Sequence, residues 1–390
     1  MSSPFHVMAK PSGAKCNLDC KYCFYLEKEG LYPSGSHRMT DEVLEAYVRG
    51  QIESQPAGAE VLFAWQGGEP TLMGVPFFEK AVALQKELGR GRRIANAFQT
   101  NGVLLDDVWG EFLRRENFLV GLSIDGPRDL HDLYRVDKGG RPTFDNVLRG
   151  LEVLKRHRVD FNTLTVVHRE SARRPLEVYE FLKSAGSTHL QFIPLVERVG
   201  EGEVASDASV LADDWGSFLT SIWDQWVTCD VGKVFVQLFD VMLGVWMGQP
   251  SGLCLFRETC GDAVAMEHNG DIYSCDHFVT PRHRLGNLLD KGLGDMVRDA
   301  PQRLFGTAKV DTLPRYCREC EVRFACHGEC PKNRFIRTPD GEPGLNYLCT
   351  GYKHFFKHAN PGLRGMAWLA MNRESPAKIM EVLSGQGPSD

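Results

Sequence analysis

Apolar positions in the first half of the chain alternate between two periods. Short runs rich in Val, Ile, Leu and Phe, at 4–10, 60–66, 94–100, 119–124, 160–167 and 190–195, read as strands. Between them, 40–55, 76–88, 106–115, 144–157 and 173–185 carry helical spacing. Thr40 is predicted to cap the first helix, with Asp41 and Glu42 in its opening turn, and Pro76 suits the first turn of the second. Six βα units predict a parallel sheet, and their nearly continuous apolar strands predict one buried on both faces. Six units do not close an eight-stranded barrel. The expected fold class is therefore α/β, an open, partial (β/α)6 barrel whose ligands bind at the C-terminal strand ends.

The second half reads differently. Residues 200–209 (GEGEVASDAS) have the composition of a linker, and 210–247 is aromatic-rich with helical character. Eight of the twelve cysteines then fall between Cys254 and Cys349, which predicts a metal-organised region with little regular structure. The tail, 362–390, opens with helical spacing and ends in Gly, Ser and Pro. The expected domains are 1–200, a helical connector at 201–250, a cysteine-rich domain at 251–358 and a tail at 359–390.

Charge and compartment narrow the chemistry. A net charge of −6 argues against a nucleic-acid scaffold, which needs a basic face. The longest apolar run, 241–247, is too short to span a membrane, and residues 1–10 lack the basic and apolar regions of a secretory signal. A cytoplasmic location is expected. There thiols stay reduced, so the cysteines read as ligands before disulfides.

Cys16-x3-Cys20-x2-Cys23 follows the first predicted strand with no fourth cysteine nearby. Four-iron clusters take four thiolates, so three leave one iron with an open position for a substrate or cofactor. A zinc site would need a fourth ligand, for which His37 is the nearest candidate. At the end of the second strand, Trp65-Gln66-Gly67-Gly68-Glu69-Pro70 pairs two glycines that admit a ligand close to the backbone with a carboxylate able to accept from an ammonium. Ser123 ends the fourth strand, and Arg135 downstream can fork onto a carboxylate. Thr100-Asn101-Gly102 is either a turn or part of the same pocket. Cys254, Cys260, Cys275, Cys317, Cys320, Cys326, Cys330 and Cys349 supply two sets of four, for two four-iron clusters or two structural zinc ions. Cys229 remains over, expected as a small buried residue on a helix.

The run from Lys10-Pro11 through Cys16-Asn17-Leu18-Asp19-Cys20-Lys21-Tyr22-Cys23-Phe24-Tyr25 resembles the opening of radical S-adenosylmethionine (SAM) enzymes, and most nearly that of the anaerobic sulfatase-maturating enzymes. The C-terminal cysteine field resembles the SPASM extension of the same superfamily. The resemblance implies a TIM-like radical SAM barrel followed by a loop-rich SPASM domain. It implies three 4Fe-4S clusters: a catalytic one on Cys16, Cys20 and Cys23, one on Cys254, Cys260, Cys275 and Cys330, and one on Cys317, Cys320, Cys326 and Cys349. It aligns Gly67, Gly68 and Glu69 with the SAM amino-group motif, Ser123 and Arg135 with carboxylate ligands, Tyr22 with a backbone contact and Leu195 with the adenine contact. Asp276, directly after Cys275, aligns with the general base.

The reaction so implied oxidises a cysteine or serine side chain of a sulfatase to Cα-formylglycine. A SAM-derived radical removes a Cβ hydrogen, Asp276 takes the side-chain proton, and the second electron leaves through an auxiliary cluster. The implied partners are an unfolded or nascent sulfatase segment and an electron donor such as flavodoxin or ferredoxin, with no nucleic acid and no membrane. Two other readings stay open at this level: a SPASM enzyme that modifies peptides otherwise, for instance by thioether crosslinking, and a non-catalytic binding protein organised by zinc.

Overall fold

The structure, a computed structural model, describes residues 4–32 and 37–384. Ten strands are central to it: β1 His6–Ala9, β2 Val61–Trp65, β3 Ile94–Thr100, β4 Phe118–Ser123, β5 Phe161–Val167, β6 His189–Pro194, β7 Phe235–Val236, β8 Ala263–Met266, β9 Asp271–Tyr273 and β10 Arg284–Asn287. The chain divides into two compact units, residues 1–124, 131–161 and 260–308 in the first and residues 125–130, 162–259 and 309–390 in the second.

In the first unit β1, β2, β3 and β4 pair in parallel, with Met8 opposite Ala64, Val61 opposite Ile94 and Asn96 opposite Phe118. The six strands expected from the apolar pattern all form. Of the ten, the pattern missed β7 and, in the first unit, three more: β8 runs parallel to β1, with His6 opposite Ala263, and β9 and β10 follow antiparallel. Part of the cysteine-rich region is thereby hydrogen-bonded to the strand that leads into the first cysteine loop.

Helices Asp41–Ser54, Val75–Leu88 and Asp107–Arg115 cover this sheet. The Val43 N–H donates to Thr40 Oγ1 at 3.3 Å and the Trp109 N–H to Asp106 Oδ1 at 3.0 Å, each satisfying a donor that a helix start leaves over. Trp65, Phe78, Phe98, Trp109 and Phe118 form a continuous train of ring contacts between helices and sheet. Each such ring contributes about 1.5–3 kcal/mol on burial. The Trp65 indole N–H still finds Asn96 Oδ1 at 2.9 Å.

In the second unit β5 pairs in parallel with β6, and β6 with β7. The aromatic stretch after 210 forms helices Ala212–Cys229 and Gln237–Trp246. Helix Ala212–Cys229 lies against helix Cys349–Met371 at a contact only glycine allows: a Cβ on Gly351 would stand 2.0 Å from the Ala212 carbonyl oxygen, and one on Gly216 2.9 Å from Gly351 Cα. That contact seats Cys349 at the start of its helix. The helix runs on through position 359 to Met371, so the tail begins inside it; its last residues, 385–390, lie outside the described ones.

Two expectations need correction. Residues 200–209 are no free linker, because the backbone folds back on 195–199 through Val199 N–H to Val204 O at 2.9 Å, Ser206 N–H to Glu197 O at 2.7 Å and Val210 N–H to Leu195 O at 3.0 Å. The composition showed only that the segment is polar. Cys229 is exposed, since it ends its helix beyond Trp226 and Val227, the last residues of the buried face.

Asp240, on helix Gln237–Trp246, has no hydrogen-bonding or ionic partner among the described residues, and burial alone pushes its carboxyl up to about 7. A folded-state value above the unfolded one means protonation favours folding, so stability is lost as pH rises from about 4 through 7. Asp240→Asn is therefore expected to raise the melting temperature at pH 8, with the gain fading towards pH 5. Equal melting temperatures of variant and parent at both pH values would refute the assignment.

Candidate functional site

The Cys16–Cys23 loop leaves β1 and is pinned from three directions. Asp19 N–H donates to Val136 O at 2.8 Å and Lys21 N–H to Tyr134 O at 3.0 Å, while Leu18 is buried beneath. Leu18 N–H reaches Cys16 Sγ at 3.4 Å, and Asn101 Nδ2 reaches the same sulfur at 3.7 Å and Asn17 Oδ1 at 2.8 Å. Burial pushes the Cys16 thiol up to about 12, with Glu69 and ionised Cys20 and Cys23 adding to it. The three thiols are thus close enough to oppose one another's ionisation, and none is in a disulfide. A metal cation relieves that opposition by binding thiolates outright. The donor set fits an iron–sulfur cluster held at three corners.

The glycines of the Gly67-Gly68-Glu69-Pro70 turn serve the backbone first. Gly68 N–H donates to Gly13 O at 2.8 Å and Glu69 N–H to Lys15 O at 2.9 Å. A Cβ on Gly68 would stand 2.0 Å from the Lys15 oxygen, and Gly67 sits at φ +126°, a conformation that favours glycine. The end of β2 and the cysteine loop therefore touch main chain to main chain. Glu69, 1% exposed, accepts from Thr71 N at 3.0 Å, Thr71 Oγ1 at 2.6 Å, Thr100 Oγ1 at 2.8 Å and Asn101 N at 2.8 Å. Burial raises its pKa and these donors pull it back. With four donors already on it, Glu69 acts here as a tie between the ends of β2 and β3, while the turn's geometry brings backbone to the cysteine loop. Thr100-Asn101-Gly102 is both things the sequence allowed, a turn and a wall of the site.

Arg135, buried, lies over the Tyr22 ring with its guanidinium carbon 5.6 Å from the centroid, and Tyr22 packs on Tyr134. Ser123 closes β4, half-buried. Leu195 belongs to the second unit, just past β6, where its N–H donates to Val167 O at 2.9 Å.

Asp276 opens a short turn after β9 and pairs with Lys10 Nζ at 2.6 Å. Lys10 is 2% exposed, its ammonium 4.5 Å from the Tyr25 ring centroid, and the Tyr25 hydroxyl donates to buried Glu267. Burial works against the Asp276 carboxylate, but Lys10, His277 and Lys28 outweigh it and hold the group below the usual carboxylate range. The result is an ionised acceptor beside a cysteine, fixed by a buried cation just past the strand that feeds the first cysteine loop. Lys10 carried no role in the sequence reading, although a lysine among apolar strand positions was a signal. Asn17 carried no role either, and the contact of Asn101 with Cys16 and Asn17 was not legible, because only the fold brings the Asn101 amide to that loop.

Of the C-terminal cysteines, Cys260 and Cys275 lie in the first unit. Gln302 ties their loops together, donating to Gly261 O at 3.0 Å and Ser274 O at 3.1 Å. Cys254 and Cys330 lie in the second unit. There Cys317, Cys320, Cys326 and Cys349 line one cavity of about 20 Å³ together with Tyr352 and Lys353. Burial pushes Cys349 up to about 12, with Cys317 and Cys320 adding to it. Among the described residues no three His, Cys, Asp or Glu side chains close on a point as a single-ion site does; the four thiols stand around the cavity instead. Four free thiols lining one cavity match the donor set of a cluster with four thiolate corners.

Comparison with known proteins agrees with this chemistry. The radical SAM superfamily model matches residues 11–182 and an iron–sulfur cluster-binding domain, SPASM, matches 254–321. A serine-type anaerobic sulfatase-maturating enzyme of Bacteroides thetaiotaomicron is 47% identical, covering 98% of this chain and 96% of its own. A cysteine-type anaerobic sulfatase-maturating enzyme of Clostridium perfringens is 35% identical, covering 93% of this chain and 98% of its own. The solved structure of native anSMEcpe with bound AdoMet and the Cp18Cys peptide superposes with a TM-score of 0.84 at 34% identity, over 93% of this chain and 99% of that one.

The main-chain contact at Gly68 yields a test. Gly68→Ala must part the turn from the cysteine loop, so the reconstituted variant is expected to lose about a third of its iron, one cluster in three, and its SAM cleavage. Iron analysis and 5′-deoxyadenosine release measure this, and full iron with parental cleavage would refute the contact's role.

Proposed function

The chain belongs to the anaerobic sulfatase-maturating enzymes of the radical SAM superfamily, and from that membership we propose that it oxidises a cysteine or serine side chain of a sulfatase segment to Cα-formylglycine. The observation that carries the reading is the Asp276–Lys10 pair, a half-buried carboxylate held by a buried ammonium next to Cys275.

Cys16, Cys20 and Cys23 would hold the catalytic cluster, with SAM on its open iron. Gly67, Gly68, Tyr22, Ser123, Arg135 and Leu195 would bind SAM, Arg135 facing its carboxylate as a charge-assisted partner. Glu69 would shape that site through Thr71, Thr100 and Asn101. When bound, SAM and the reduced cluster supply a radical able to take a hydrogen atom from the substrate Cβ. The chain's own residues do the rest. Asp276 accepts the proton of the substrate hydroxyl or thiol, and its depressed pKa keeps it in the basic form until pH falls below the ordinary carboxylate range. Lys10 holds that carboxylate in one place, and Tyr25, held by Glu267, walls the ammonium off from water. The eight remaining cysteines would hold two auxiliary clusters, which would supply an acceptor for the second electron. Serine gives the aldehyde directly, whereas cysteine gives a thioaldehyde that water hydrolyses.

The substrate is an extended, unfolded or nascent segment. The reductant is a small flavodoxin- or ferredoxin-type donor in the cytoplasm. No helix among the described residues is long and apolar enough to cross a membrane.

Reduced, reconstituted enzyme with SAM and a Cys-x-Pro-x-Arg peptide is expected to give a mass loss of about 18 Da, and the serine counterpart about 2 Da, as covalent side-chain changes. Asp276→Asn is expected to keep SAM cleavage while formylglycine formation falls by roughly 10²–10⁴-fold. Cleavage of SAM with both peptides unchanged in mass would move the assignment to another peptide modification.

A further inference from the structure

The second unit carries buried charge that the reaction above does not use. Between Cys326 and Cys330, residues His327, Gly328 and Glu329 sit at φ +45°, +72° and +54°, three successive left-handed conformations of which only one falls on glycine. Arg334 holds this turn. Its Nε donates to Gly328 O at 2.8 Å and its Nη2 to His327 O at 2.8 Å and Glu329 O at 3.1 Å. Its Nη1 donates to Lys309 O at 2.6 Å, which fixes the Lys309 backbone to the same turn. Lys309, 1% exposed, then reaches across to the third cysteine segment, with Nζ donating to Cys254 O and Leu255 O at 2.8 Å each. Glu329, 3% exposed, accepts from Asn333 Nδ2 at 3.2 Å and from Asn346. A buried ammonium, a half-buried guanidinium and a buried carboxylate therefore lie among Cys254, Cys326 and Cys330.

Such an arrangement is costly unless it serves something, because buried ionic groups seldom repay their desolvation in stability. A cluster supplies the missing term. A four-iron cluster with four thiolates is an anion that gains a further negative charge on reduction, and its potential follows the fixed charges and hydrogen-bond donors around it. An ammonium on the carbonyl of a ligand cysteine stabilises the reduced state and raises the potential. Lys309 bonds directly to the carbonyl of Cys254, whereas the Glu329 carboxylate is taken up by the amides of Asn333 and Asn346.

We propose that Lys309 is a positioning residue that raises the reduction potential of the auxiliary cluster ligated by Cys254, and so sets the readiness of that cluster to take the substrate's second electron. The inference rests on the reading above that Cys254 ligates one of the auxiliary clusters.

The test is an anaerobic potentiometric titration followed by electron paramagnetic resonance. It uses the full-length chain with Cys16, Cys20 and Cys23 replaced by alanine, so that the auxiliary signals stand alone. Lys309→Gln keeps a donor towards Cys254 and Leu255 but removes the charge; Lys309→Met removes both; Lys309→Arg restores the charge. The expected result is unchanged iron in Lys309→Gln, one midpoint moved to more negative potential, and recovery of most of that shift in Lys309→Arg. Unchanged iron with an unchanged midpoint in Lys309→Gln overturns the proposal. Loss of iron from both the Gln and Met variants also overturns it, because Lys309 is then structural. An unsubstituted chain that takes up zinc in place of iron would instead sink the cluster assignment, and the two failures are told apart by metal analysis.

Discussion

The first unit depends on one contact, the main-chain approach of the β2 turn to the cysteine loop. Gly68 and Glu69 donate their N–H groups to Gly13 and Lys15, with no room for a side chain at Gly68. Everything chemically relevant nearby hangs from that contact. The loop that presents Cys16, Cys20 and Cys23 has little regular structure of its own, so its shape is inherited from the strand end it lies on. Glu69 extends the same tie to β3 by collecting four donors from Thr71, Thr100 and Asn101. Loss of such a buried acceptor would leave several donors unpaired, at roughly 1–3 kcal/mol each.

Buried charge is handled in one way throughout. Glu69 and Glu329 are surrounded by N–H and O–H donors, Asp276 by a lysine, and Lys309 by carbonyls. Burial alone would neutralise a carboxyl, as the unpartnered Asp240 shows. Where Lys10, His277 and Lys28 converge the balance reverses and Asp276 stays ionised. The difference is one of neighbours, since burial opposes ionisation at each of these carboxyls. Buried thiols follow the same logic. Cys16 and Cys349 are both pushed up to about 12 by burial and by neighbouring thiols, so each stays a neutral thiol unless a cation binds its thiolate.

The chain's own residues thus divide the work of a radical oxidation. The hard step belongs to cofactors, and the protein supplies a fixed base, a dry wall of Tyr25 and Glu267 around its partner cation, and ligands placed by backbone contacts. The left-handed turn at 327–329 is the counterpart in the second unit. It is strained by sequence standards and stays in place because Arg334 binds three of its carbonyls at once.

What the amino-acid order determined by itself is local and periodic. The alternation of strand and helix through residue 195, the cap at Thr40, the spacing of the cysteine triplet and the two sets of four thiols all follow from patterns within a few residues, where propensity and ligand geometry act directly. Only the tertiary structure decided what lies between distant segments. It added β8–β10 beside β1, folded 200–209 back on its own strand end, left Cys229 in solvent, turned Glu69 into a tie, and set Lys10 on Asp276 and Lys309 on Cys254. These outcomes depend on desolvation and on pairings between residues far apart in the chain, and a buried charge carries no mark of its partner until the fold has brought the two together.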